Sequence, residues 1–208
     1  MKINLIRRNE RKWKLLLVSI FFIVNSTQSQ CILSKDDKQQ MKDAKVEFYQ
    51  PNTYFCINPL SSYFSIHPEF LQGQFTISLI NKDNQIMIGI FTMPYPKGIT
   101  RAEKFLIETV DLNHISKKAL VQEMDTRLSQ LRFVKTDYLK KINADRGYVY
   151  NTKTRKGGYL GIYPRCKKVI VYKDNVGRAE ILFFYKYGQD ALVKQEIERT
   201  WGLLKFKP

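Results

Sequence analysis

The sequence predicts an α+β fold, a single domain in which a largely antiparallel sheet packs with helices. Three observations carry this expectation. Apolar and polar residues alternate at period two over residues 74–93 and again in runs between 148 and 187, with short polar turns between them. Residues 100–131 lie between those runs and change to helical spacing. The chain then closes on an apolar strand, a Gly-containing turn and an amphipathic helix.

The first element is a leader. Arg7, Arg8, Arg11, Lys12 and Lys14 precede the apolar core Leu15–Val24, and small polar residues follow up to Gln30. This is the layout of a secretory signal peptide over residues 1–29, with an apolar core too short to span a bilayer comfortably. Thr27 and Ser29 flank the expected cut, so the mature chain starts at Gln30 and is secreted or periplasmic. A competing reading stays open: Cys31 lies close behind the core and is followed by the charged Ser34-Lys35-Asp36-Asp37. Acylation of Cys31 would make a membrane-tethered lipoprotein, although the bulky Gln30 does not suit such a signal. Residues 30–45 are polar and read as a flexible N-terminal segment, with the folded domain spanning 46–208.

Tyr54–Ile57 and Tyr63–Ile66 read as short strands around an Asn-Pro turn. Phe75, Ile77 and Leu79, then Ile86, Ile88 and Ile90 across Lys82-Asp83-Asn84, predict an antiparallel hairpin with one buried face. Pro94, Pro96 and Gly98 end it. Thr100 and Glu103 form a capping box ahead of an apolar stripe at Ala102, Leu106 and Val110. Asn113–Ser116 interrupts, and Leu120, Met124, Leu128 and Leu131 give a second stripe, as two helices or one kinked helix. Strands resume after Phe133. Tyr148–Tyr150 enters the basic turn Lys153–Gly158, and Tyr159–Tyr163 leads back. Lys168–Lys173 turns at Asp174-Asn175 into Arg178–Tyr187, where Ala179, Ile181, Phe183, Tyr185 and Tyr187 share one face. Gly188 and Asp190 open a closing helix with a buried stripe at Val193, Ile197, Trp201 and Leu204.

The ending from Gly177 to Lys207 resembles the close of the PsbP-like family: a long aromatic-rich strand, a short polar turn, then a helix finishing near a Trp before a lysine-flanked end. The order of elements over residues 46–207 is similar as well. The resemblance implies an α/β/α sandwich and a non-enzymatic binding or accessory role in an exported compartment. It carries over no functional residue, because that family shares a scaffold rather than a catalytic centre.

Charge narrows the partner. The formal net charge is +16, and the leader holds only six of the 35 basic residues. Between Arg132 and Lys173 lie twelve basic residues against two acids, Asp137 and Asp145. Such a region attracts an acidic protein, an anionic envelope component or nucleic acid, with a membrane as partner in the acylated form, unless it serves only as a solubilising face. The candidate binding residues are Lys153, Arg155, Lys156, Arg165, Lys167, Lys168, Tyr159 and Tyr163, since aromatics among cations can stack bases and grip phosphates. Cys56 and Cys166 are the candidate disulfide, leaving Cys31 free or acylated.

The pattern points away from an enzyme. His67 and His114 could serve as the base and acid of a secreted basic nuclease, but nothing in the sequence brings them together. No CxxC, HExxH or clustered His/Cys spacing occurs, so neither metal nor cofactor is expected. The expectation is therefore an exported non-catalytic binding protein, with a secreted nuclease or general polyanion binder as the alternative.

Overall fold

The structure, a computed structural model, describes residues 31–57, 63–65, 72–83, 85–95, 124, 130–154 and 157–208. Its strands are β1 (Val46–Phe48), β2 (Tyr54–Cys56), β3 (Tyr63–Ser65), β4 (Gln72–Gln74), β5 (Ile77–Asn81) and β6 (Met87–Pro94). They continue as β7 (Arg132–Phe133), β8 (Arg146–Thr152), β9 (Arg165–Lys173), β10 (Gly177–Tyr185) and β11 (Leu204–Phe206). The helices are α1 (Lys35–Asp43), α2 (Thr136–Lys141) and α3 (Asp190–Arg199).

Seven strands form one sheet in the order β2-β5-β6-β10-β9-β8-β7, and every neighbouring pair is antiparallel. This is the α+β antiparallel class that the alternating runs predict. β10 lies at the centre, and all nine of its residues are buried. Successive strand side chains point to opposite faces, so β10 serves two layers. Ala179, Ile181, Phe183 and Tyr185 join Leu79, Ile88, Val169 and Val171 on one face, with Met41 of α1 and Val193 of α3 in the same core. Leu182 and Phe184 join Phe75, Met87 and Cys166 on the other. Further along, Tyr148, Tyr150, Ile170 and Tyr172 pack with Met124.

Several expectations change at this level. The segment expected as a flexible tether is helical from Lys35. Ser34 Oγ accepts the Asp37 N–H at 3.0 Å, two acids occupy the first turn, and Met41 is buried. A capped helix end with Asp36 and Asp37 beside its positive pole is favourable. The hairpin forms, with Ile77 opposite Ile90 and Leu79 opposite Ile88. Phe75, however, precedes a bend at Thr76 and belongs to the opposite layer. Gly89 makes room for it, because a Cβ there would collide with the Phe75 ring.

Residues 159–163 are not the returning strand. β8 pairs with β9, so the connection runs from Lys153 to Pro164. Tyr187 lies beyond β10 and is exposed. The closing stripe is split: α3 ends at Arg199, and Leu204 belongs to β11, which pairs with β1. Trp201, partly buried, stacks on Tyr138 of α2 with ring centroids 4.6 Å apart. Met124, expected in a helical stripe, makes an antiparallel bridge with Thr152. The rest of the helical pattern expected over 100–129 lies outside the described residues.

The disulfide is also reassigned. Cys31 bonds Cys56, with Cα atoms 5.2 Å apart, and Cys166 is a buried free thiol. β2 stands four strand positions from β9, roughly 19 Å at normal strand spacing, well beyond the reach of a disulfide. In this covalent state Cys31 has no thiol to acylate.

Candidate functional site

The basic run that crosses β9 does not form one patch. Arg165 and Lys167 project to the face covered by α3, and Lys168 projects to the other. Arg165 Nη2 lies 3.7 Å from Asp190 Oδ1, and its guanidinium sits 5.9 Å from the Tyr185 ring centroid. Tyr185 donates its hydroxyl to Asp190 at 3.1 Å. Burial, the Asp190 charge and that hydrogen bond push the Tyr185 pKa up to about 12, against the opposing Arg165 charge. Lys167 is half-buried. Burial lowers its pKa, the nearby Arg165 and Lys194 charges add to the effect, and Asp190 opposes it.

Lys168 does not reach solvent. It is 1% exposed and pairs with Glu180 at 2.6 Å, and Glu180 also meets Arg178 at 3.2 Å. Burial alone would raise the Glu180 pKa, but the charges of Lys168 and Arg178 and the Lys168 hydrogen bond hold it below the usual carboxylate value. Tyr150 lies opposite Lys168 in the register, its ring centroid 6.0 Å from Nζ. Beside Arg178, Tyr172 is held well above its ordinary value by burial. Lys168 is therefore a member of a buried ionic triad and is corrected out of any binding surface.

Tyr159 and Tyr163 are corrected in the same way, at 3% and 6% exposed. Tyr159 stacks on Phe184 with centroids 4.2 Å apart and meets Phe75 edge-on. Burial raises the Tyr163 hydroxyl pKa. The two tyrosines anchor a tight turn closed by Tyr159 N–H to Tyr163 O at 2.8 Å and Tyr163 N–H to Tyr159 O at 3.0 Å. Gly158, at φ 76°, is required there, because a Cβ would approach the Tyr163 carbonyl oxygen to 2.5 Å. Thr154 Oγ1 donates to Pro164 O at 2.8 Å and ties the two ends of the connection. Leu160 and Ile162 at the tip are 42% and 54% exposed. Lys153 is half-buried at the loop's start, and Arg155 and Lys156 lie outside the described residues.

Elsewhere in the basic window, salt bridges tie up two cations on the surface. Arg146 bridges Asp174 through hydrogen bonds of 2.6 and 2.7 Å, and Lys173 meets Asp145 at 3.0 Å. Asp174, Glu180 and Asp190, all from outside the window, thus temper its excess charge. In sequence, the stretch from Lys153 to Arg165 holds four basic residues, of which Arg165 meets Asp190, and no acid.

A second feature escaped the sequence reading. An open cleft of about 630 Å³ lies beside α3, lined among others by Asp83, Lys186, Gln189, Glu196 and Arg199. Glu196 is buried at its floor and accepts from Asn81 Nδ2 at 3.1 Å. Burial raises its pKa, and Arg199 opposes the rise. The one available signal was a Glu at an inward-facing position, i+3 from Val193. Among the described residues no His/Cys/Asp/Glu group could hold a metal ion, and no helix is long and apolar enough to cross a membrane. His67 and His114 lie outside the described residues.

No family profile matches the sequence, and no curated protein matches it. Among solved structures the chain is similar to the solution structure of cyanobacterial PsbP (CyanoP) from Synechocystis sp. PCC 6803, with a TM-score of 0.39 and 9% sequence identity. The match covers 86% of this chain and 92% of that chain. The likeness extends no further than fold, and no function is taken from it.

Proposed function

We propose that this chain is an exported, non-catalytic binding protein that docks on an acidic partner, a protein or an anionic envelope component, through the loop joining β8 to β9. The observation that carries the reading is that loop. It holds Lys153, Arg155 and Lys156 with no acid, adjoins Arg165, and displays exposed aliphatic side chains on a turn fixed by two buried tyrosines. Export is supported from two directions: the leader pattern of residues 1–29, and a disulfide between Cys31 and Cys56, a bond that persists in oxidising compartments.

The test is capture from an envelope extract by the parent protein and by the triple variant Lys153→Glu, Arg155→Glu, Lys156→Glu. Each cation near an anionic surface contributes about 1 kcal/mol, so the triple variant should bind roughly a hundredfold or more weakly. The same components captured equally well by both proteins would refute the reading. RNA hydrolysis by the parent that His67→Ala and His114→Ala abolish would replace it with a nuclease.

A further inference from the structure

We infer that Lys167 and Lys194, with Arg165 beside them, form an anion site on the α3 side of the sheet that holds one dianionic phosphate group, free or carried as a monoester. The inference goes beyond the docking loop, because Lys153, Arg155 and Lys156 take no part in it.

The first observation is where the fold puts these cations. Odd-numbered residues of β9 face α3, so Arg165 and Lys167 stand two residues apart on one face, opposite Tyr185 and Phe183 of β10. Asp190 and Lys194, four residues apart, share one flank of α3. Strand and helix meet at this point: Arg165 reaches Asp190, and the charges of Arg165, Asp190 and Lys194 all act on Lys167. Three cations thus gather around one acid.

The second observation is that the acid is already engaged. Asp190 Oδ1 accepts the Tyr185 hydroxyl at 3.1 Å and lies 3.7 Å from Arg165. Among the described residues neither Lys167 nor Lys194 makes a salt bridge. The neutral acceptor across the register from Lys167 does not take its ammonium either, since Asn151 Oδ1 is buried with no hydrogen-bond partner. Lys167 is half-buried, and burial lowers its pKa, with Arg165 and Lys194 adding to the effect and Asp190 opposing it. A partly desolvated ammonium among like charges is stabilised by any counter-charge that reaches it.

The third observation is the size of the surplus. With Asp190 set against Arg165, two positive charges stay uncompensated, on Lys167 and Lys194. A carboxylate would offset one of them. A phosphate dianion offsets both, and its three acceptor oxygens can be shared between the two ammonium groups and the Arg165 fork. The half-burial of Lys167 makes that attraction stronger than the same charges would give in open water.

The experiment titrates the full chain, as processed by its producing cells, with inorganic phosphate at about pH 8, where a phosphate group is dianionic. Sodium chloride holds the ionic strength constant. Amide NMR shifts of β9 and α3 should saturate with phosphate, and Lys167→Met and Lys194→Gln should each weaken binding by about tenfold. Lys167→Met sheds a desolvated charge and Lys194 is exposed, so both variants should keep the parent's thermal midpoint. Bound phosphate should also draw the Lys167 pKa back up, so acetylation of Lys167, read by peptide mass, should slow severalfold. O-phosphoserine serves as the second ligand: tighter binding than inorganic phosphate assigns the group to a monoester, weaker binding assigns it to free phosphate, and either order supports the site. No saturable shift with either ligand, undiminished binding in both variants, or the same response to sodium chloride alone overturns it. The loop variant that tests the docking role leaves Lys167 and Lys194 in place, so the two readings stand or fall separately.

Discussion

Glu180 and Glu196 are both buried carboxylates, yet their surroundings drive them in opposite directions. Lys168 and Arg178 hold Glu180 below its ordinary value, whereas burial lifts Glu196 above it. Glu180 thus contributes stability that is present above pH 4.5 and is lost as pH falls through its lowered folded value. For Glu196 the favourable contribution is complete below pH 4.5 and is lost as pH rises through its raised folded value. Glu180→Gln removes the carboxylate that both buried cations meet, so urea unfolding at neutral pH should show a loss of about 3–5 kcal/mol. Glu196→Gln can still accept from Asn81 and sheds a desolvated charge, so it should raise the neutral-pH unfolding midpoint. An equal loss in both variants would contradict these assignments. Tyr185 marks the alkaline side: its pKa is raised to about 12, so the stability it supplies should fade between pH 10 and about 12. Tyr185→Phe should flatten that part of the stability profile.

At the scale of elements, the Cys31–Cys56 bond fastens the start of the domain to the edge strand β2, and α1 packs against β6 and β1. In the chain-entropy account, closing that loop of some 25 residues contributes about 3 kcal/mol. Cys31→Ala should therefore lower the denaturant midpoint far more than the cap change Ser34→Ala, which should cost about 1 kcal/mol. An unchanged midpoint in the cysteine variant would mean the bond does not form. What the sequence made legible follows the same division. The β5–β6 hairpin and the inward face of β10 could be read because period two and short turns act locally. The partner of Cys56 could not, because it depends on strand order, which places β2 and β9 apart. Nor could the fate of Lys168: a basic run on a strand alternates between faces, and Glu180 on the neighbouring strand decides which cation is buried. Tyr159 and Tyr163 read as surface aromatics because the cluster that buries them includes Phe184, the ring Tyr159 stacks on, two strands of sequence away. Ser34 and Asp37 did carry a local helix-start signal, which the surrounding charge obscured.

For the whole molecule, a central strand buried on both faces explains how a modest chain sustains two apolar layers. Charge sorting is the other global feature. Lys168, Arg165, Arg146 and Lys173 are met by Glu180, Asp190, Asp174 and Asp145, and the sequence of the β8–β9 loop adds Lys153, Arg155 and Lys156 with no acid among them. That asymmetry in the sequence is the basis of the proposed docking role. The most direct test is the intact mass of the protein isolated from its native cells, with alkylation in denaturant before and after reduction. The account predicts a chain beginning at Gln30 with no acyl group, alkylated once before reduction, at Cys166, and at all three cysteines afterwards. A retained leader, a lipid on Cys31 or three thiols alkylated before reduction would contradict it.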